Sequence, residues 1–341
     1  MKTNKKNQNF NFWRELPKPF FGLAPMADVT DTAFRRLVSK YSSDEKGDGH
    51  AHLVIWNEFI AADGLVHPIG REKLLQDLDY DESERPLIAQ IFSGNPEHMA
   101  ESALLCKELG FDGIDINMGC PDRGVEKQLS GAALIKNPQL AIEIIQAVKK
   151  AVGDMPVSVK TRVGYNVSEI ETWIPALLDQ DIQALTVHAR TKKDLSKVPA
   201  NWDYIKQVVS LRNGMKKDTL IIGNGDINNM LDGYERARES GCDGIMIGRG
   251  FFGKPWLCYI PTLGADPSVR ERLRISIEHA ELFERYVPHK NFAIMKKHFR
   301  VYANGFDHAH ELRNEIMERG NSAKEVREII ERFLKEHSDE F

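Results

Sequence analysis

The chain has 341 residues, 42% hydrophobic and 28% charged, which fits an ordinary globular protein with one large domain of roughly 250 residues and a smaller appendage. No apolar run approaches the ~20 residues of a membrane helix, which excludes a membrane span, and the net charge of −4 offers no global attraction to a polyanion. Four cysteines, Cys106, Cys120, Cys242 and Cys258, stand without any CxxC pair, which excludes a cysteine-based zinc site and a disulfide framework and points to the cytoplasm.

In chain order, the polar and basic start MKTNKKNQNFNFW lacks the apolar core of a secretory signal and reads, through residue 19, as a loose tail. Eight short apolar runs follow: FFGLAP from Phe20, HLVIWNE from His52, PLIAQIFSG from Pro86, GIDINMG from Gly113, VSVKTRVG from Val157, ALTVHAR from Ala184, TLIIGNGDI from Thr219 and GIMIGRG from Gly244. Helical stretches alternate with them, for instance Pro96 to Leu109, Pro138 to Val152, Ser168 to Gln180 and Asn228 to Ser240. Repeated βα units predict a parallel sheet, and eight strands close a (β/α)8 TIM barrel over residues 20–265. The charged segment Ser42 to His50 reads as a solvated loop in the first crossover. Past Pro267 the strand pattern stops, and ERLRISIEHAELFERYV, FAIMKKHFRVYANG and SAKEVREIIERFLKEH predict three helices of an all-helical domain, 266–341.

The carboxyl ends of barrel strands point into one shared mouth, so polar residues at the ends of apolar runs are site candidates. Pro25, Met26 and Ala27 follow the first strand, Glu58 the second, Gln90 lies in the third, and Asn117 with Cys120 follow the fourth. Lys160 and Arg162, His188 and Arg190, Asn224 to Asp226 and Arg249 come from the later strands. Glycines in NGD (Asn224, Gly225, Asp226) and GRG (Gly248, Arg249, Gly250) allow backbone N–H groups to approach a phosphate, in the two loops where this fold often holds one. Lys160, a cation inside an apolar strand, suits either an electron-rich ring or Schiff-base chemistry. Cys120 sits in an irregular loop before a proline, where a protonated thiol can serve as a general acid, whereas Cys106 and Cys242 read as core residues.

Six collinear motifs carry a resemblance over nearly the whole chain: APMADVTDTAFRRLV from Ala24, DINMGCPDRGVEKQLSGAALIKNP from Asp115, VKTRVGYN from Val159, VHART from Val187, GNGDI from Gly223 and GIMIGRGFFGKPW from Gly244. In these the chain resembles the tRNA-dihydrouridine synthases. The resemblance implies an FMN-bound barrel that reduces the C5=C6 bond of selected uridines in tRNA, with NADPH as reductant and no metal. It implies that Pro25, Met26 and Ala27 contact FMN, that Gln90, Lys160 and His188 address its ring, and that Asn224, Gly225, Asp226, Gly248 and Arg249 hold its phosphate. Cys120 matches the proton donor to C5, with flavin hydride going to C6, and Asn117 would orient the uracil. Arg162, Arg190, Lys296 and Lys297 are further substrate contacts on this reading. The sequence departs from the family pattern at Leu129, where glycine is common, at Ala189, where HGR is common, and at Val301, where a tryptophan is common.

The basic stretch Arg285 to Arg300, with Lys290, Lys296, Lys297 and His298 and with Tyr286, Phe292 and Phe299 interleaved, suits either a solvated basic face or a surface for a phosphate backbone, and MKKHFRVYANGF resembles the family's tail motif, which implies that the helical domain is the tRNA-binding part. A cytoplasmic monomer is expected. The rival readings are an FMN barrel reductase of a small molecule, such as a dihydroorotate or enone reductase, a Schiff-base aldolase built on Lys160, and a non-catalytic RNA-binding module that keeps the barrel and has no need of Cys120 and Lys160.

Overall fold

The computed structural model describes residues 11–42, 53–258 and 266–340. Eight strands, β1 (Phe20–Leu23), β2 (Leu53–Trp56), β3 (Leu87–Phe92), β4 (Gly113–Met118), β5 (Val157–Arg162), β6 (Ala184–His188), β7 (Leu220–Asn224) and β8 (Gly244–Ile247), pair in parallel in chain order. β1 pairs with both β2 (Phe21↔Leu53) and β8 (Phe20↔Gly244), so the sheet closes into a barrel. Each apolar run holds one strand, because a strand covered on both faces has no solvent side to mark with alternating polar residues. A two-residue strand, Ile60–Ala61, adds to the end of β3 and was not predicted.

The outer helices are α1 (Thr32–Ser42), α2 (Pro96–Glu108), α3 (Pro138–Val152), α4 (Ile170–Leu178), α5 (Asp203–Gly214) and α6 (Met230–Ser240). Their ends follow local chemistry: Asn95 accepts from the N–H groups of Glu97 and His98 ahead of Pro96, and Gly241 closes α6 with φ +73°. Apart from Ser42, the charged segment expected to be a solvated loop lies outside the described residues.

The expected loose tail requires correction over residues 11–19. Phe12 and Trp13 are buried in the short helix Phe12–Arg14 and close the floor of the barrel, with the Trp13 ring 5.6 Å from Phe20 and 6.0 Å from Trp56. Asn11 donates to Gln183 at 2.6 Å and Lys18 pairs with Asp243 at 2.6 Å, tying the segment to the loops before β6 and β8. Aromatic area of this size outweighs the polar neighbours that made the segment look solvated. The floor is tightly filled: a Cβ on Gly244 would stand 2.5 Å from the Phe20 ring.

After the barrel the described residues form four α-helices rather than three, α7 (Val269–Tyr286), α8 (Lys296–Tyr302), α9 (Ala309–Arg319) and α10 (Ala323–Glu336). Leu273, Phe283, Phe299, Leu312, Val326 and Ile330 form their shared core, and Ala33 of α1 joins it. The unpredicted helix is α9. The segment FAIMKKHF splits into a 3-10 turn, Phe292–Met295, that runs into α8.

Candidate active site

The carboxyl ends of the strands enclose a cavity of about 480 Å³. From the first loop Pro25 and Met26 line it, from β3 and β4 Gln90, Asn117 and Cys120, and from β5 and β6 Lys160, Arg162, His188 and Arg190. Asn224, Gly225, Asp226, Gly248 and Arg249 complete the wall. Ala27 is exposed beside it and does not line it, and Lys296 and Lys297 lie elsewhere.

The loop carrying Cys120 is held from below. Asn117 at the end of β4 accepts from the N–H groups of Gly119 at 3.1 Å and Cys120 at 2.9 Å, and its amide donates to Gln90 at 3.0 Å. Gln90 in turn donates to Asp115 at 2.6 Å, as does Ser158 at 2.5 Å. Two groups predicted to address ligands, Asn117 and Gln90, therefore also brace the cavity, and one Asn117 N–H remains to face it. Asp115, Ser158 and Asn57, which accepts from the Gln90 N–H at 2.6 Å, were not foreseen as supports, although polar letters within apolar runs were the visible sign. Burial pushes the Asp115 carboxyl up to about 6. Arg162 donates to the carbonyls of Gly119 at 2.8 Å and Thr191 at 3.1 Å, so it locks the cysteine loop to the loop after β6. The Cys120 thiol is pushed up from its ordinary value chiefly by burial and stays protonated at neutral pH.

The other wall is strongly cationic. Lys160 stands 3.4 Å from Asn224, whose amide donates to the Met246 carbonyl at 2.8 Å. Burial, with Arg162 adding to it, pulls the Lys160 ammonium down to about 8. His188 is driven well below its usual range by burial and then by Arg162 and Lys160, so the imidazole is neutral. Arg190 donates to its Nε2 at 3.1 Å, which places the ring proton on Nδ1. Asp226 bridges Arg190 and Arg249, the latter at 2.6 Å. Its carboxylate is thus committed to cations, and what it can offer an anion is backbone. Gly225, at φ +136°, leaves no room for a side chain: a Cβ there would come within 2.7 Å of Ala200 and 3.3 Å of His188.

The basic stretch before and within α8 is not the continuous outer surface that was expected. His298 and Phe299 are fully buried, Lys290 is turned onto acidic residues of the barrel, and Lys296 donates to the Met317 carbonyl and Asn321, both at 2.9 Å. Half-buried Lys297 faces Asp28, Asp31 and Glu58, and Arg285 and Arg300 remain exposed. Interleaved aromatics here were core residues, and the cations between them found partners distant in sequence. Among the departures from the family pattern, Leu129 adopts φ +56°, a left-handed conformation that glycine takes without cost, whereas Ala189 has no positive φ.

A closed parallel barrel with a cationic, glycine-lined mouth and a protonated thiol defines an enzyme of the TIM-barrel class. A family model for dihydrouridine synthase matches residues 22–338, and the chain belongs to that family of oxidoreductases. It is 39% identical over 332 residues to the probable tRNA-dihydrouridine synthase 2 of Bacillus subtilis, covering 96% of this chain and 98% of that one. It is 38% identical over 326 residues to the probable tRNA-dihydrouridine synthase of Staphylococcus aureus strain MRSA252, covering 95% of each. Among solved structures, a 2-naphthoyl-CoA reductase in complex with 2-naphthoyl-CoA matches with a TM-score of 0.52 and 14% identity over 72% of this chain and 52% of that one, a likeness of fold alone.

Proposed function

We propose that this enzyme is a tRNA-dihydrouridine synthase that reduces the C5=C6 bond of specific uridines in tRNA, with FMN as its bound cofactor and NADPH as the reductant. The observation that carries this reading is the meeting of Cys120, Lys160 and the Gly225–Asp226 and Gly248–Arg249 turns around one cavity. The donor set suits FMN: Pro25 and Met26 supply a wall, Gln90, Lys160 and His188 polar groups for a ring, and the two turns a backbone cradle for a phosphate. Lys160 and neutral His188 favour a ring that gains negative charge, a use that family membership supports over an imine-forming lysine. Bound there, the flavin supplies hydride to C6.

Cys120 supplies the proton to C5. Its burial keeps the thiol protonated, and Asn117 and Arg162 hold its loop against the cavity, so that the acid is positioned before substrate arrives. The remaining Asn117 N–H and Arg190 orient the pyrimidine. A uridine stacked within folded RNA cannot reach such a cavity, so the enzyme takes the base out of its stack and fits it into the mouth. The helical domain holds the rest of the tRNA, with Lys297 and the exposed Arg285 and Arg300 as phosphate contacts and with Lys296 shaping that surface through Met317 and Asn321. On this reading the enzyme works as a monomer in the cytoplasm. Among the described residues, no helix is long and apolar enough to cross a membrane.

The test is a purified protein that carries a flavin absorbance band and converts uridine to dihydrouridine in unmodified tRNA on addition of NADPH. A colourless protein, or activity on a small enone with none on tRNA, would overturn the reading.

A further inference from the structure

Lys290, in the turn between α7 and α8, leaves its own domain and reaches the barrel mouth. Its ammonium stands 2.7 Å from Glu58, 3.3 Å from Asp77 and 4.0 Å from Asp28, and the adjacent His289 stands 2.9 Å from Asp77. Glu58 is buried, and its second oxygen accepts from the Asp28 N–H. Asp28 and Glu58 belong to the loops after β1 and β2, where Met26 and Phe59 line the cavity two residues before Asp28 and one after Glu58, and Asp77 lies in the 3-10 helix Leu75–Leu78 on the crossover to β3. One cation from the helical domain thus ties together the backbone segments that shape one cavity wall.

The helical domain is also attached after β8, where the Phe252 and Trp256 rings stand 4.8 Å from His298 and 6.3 Å from Tyr302, at the rim, where Lys297 faces Asp28, Asp31 and Glu58, and along the barrel's flank. Ala33 of α1 enters the helical core, Lys40 and Tyr41 reach Glu278 at 2.6 and 2.7 Å, and the Arg36 guanidinium lies 3.7 Å from the Tyr286 ring centroid. These contacts hold the domain to the barrel, while Lys290 sets how its α7–α8 turn meets the rim. A buried ion pair adds little net stability but specifies geometry, which suits such a role.

We propose that Lys290, acting through Glu58, is a positioning residue for tRNA: it sets the helical domain against the cavity rim so that a nucleic acid held by the helices presents its base to the mouth. This rests on the function proposed above. Lys290 itself touches no reacting atom.

The test compares the flavin-loaded parent enzyme with Lys290→Met, Lys290→Arg and the double variant Glu58→Gln with Lys290→Met. The double variant matters because Lys290→Met alone leaves a buried carboxylate unpaired, whereas glutamine keeps the acceptor for the Asp28 N–H. In both Lys290→Met proteins the KM for an unmodified tRNA transcript rises about tenfold or more, while kcat and the rate of flavin reduction by NADPH stay within about threefold. Lys290→Arg brings KM back toward the parent value. A KM unchanged in the double variant overturns the proposal, as does a loss that falls equally on kcat and flavin reduction. Amide hydrogen exchange over residues 57–60 and 288–302, which speeds up in both Lys290→Met proteins, reads the clamp without any substrate. If the parent makes no dihydrouridine, the functional reading falls, and unchanged exchange in those segments then overturns the clamp separately.

Discussion

The two ends of the barrel are built from the same eight strands and solve opposite problems. At the floor, Phe12, Trp13, Phe20 and Trp56 fill the interior with rings, and Gly244 exists to make room for them. At the mouth, amides, carboxylates and cations satisfy one another: Asn117 with Gln90, Gln90 with Asp115, Arg162 with two carbonyls, Asp226 with two arginines. The contrast teaches that stability and chemistry can be perturbed separately in one sheet. A change at the floor should be felt in the melting temperature, and a change at the mouth in turnover.

The largest expected break is Cys120→Ala. Loss of the general acid should lower dihydrouridine formation by about 100-fold or more, with flavin content and melting temperature unchanged, as single-turnover assays and absorbance would report. Trp13→Ala is its counterpart at the floor: it should cost about 3–5 kcal/mol in urea unfolding while kcat of the folded enzyme holds. Next is Lys160, which joins the two properties. Its folded value of about 8 lies below the ordinary 10.5, so the charged amine destabilises the flavin-free fold fully below pH 8, and that cost disappears as pH rises toward 10.5. Lys160→Met should therefore stabilise the flavin-free protein at pH 7 by up to about 3 kcal/mol, remove the gain in stability between pH 8 and 10, and weaken flavin retention. The pH profile of the chemical step sharpens the same comparison. Because burial raises the Cys120 thiol above its ordinary 9.0, the rate should lose its acid-dependent component only above that value, and this limb should be absent from the residual rate of Cys120→Ala. The smallest effect is Leu129→Gly, which relieves a left-handed backbone and should add about 1 kcal/mol at most, since Leu129 is 64% exposed and loses little packing.

Much of this architecture was legible in the chain itself. Parallel strands covered on both sides read as unbroken apolar runs, and the polar letters ending them marked the cavity wall, because strand ends share one rim. What escaped was non-local. Nothing near Phe12 and Trp13 announces that their partners are Phe20 and Trp56, and a polar neighbourhood disguised a floor as a tail. The stretch around Lys290 looked like a surface because its acidic partner Glu58 lies 232 residues away. Helix α9 was hidden by the many charges of AHELRNEIMER, whose buried positions are only Ala309, Leu312 and Ile316. Asn117 and Gln90 were legible as cavity residues, but their bracing of the cysteine loop depends on hydrogen bonds that only the assembled sheet creates.

The segment from Asn11 to Lys18 seals the side of the barrel away from the cavity, so its residues stand at the end of the molecule opposite the catalytic opening. A label fixed to that segment would sit on the far side of the strands and leave the mouth open to a bulky polynucleotide.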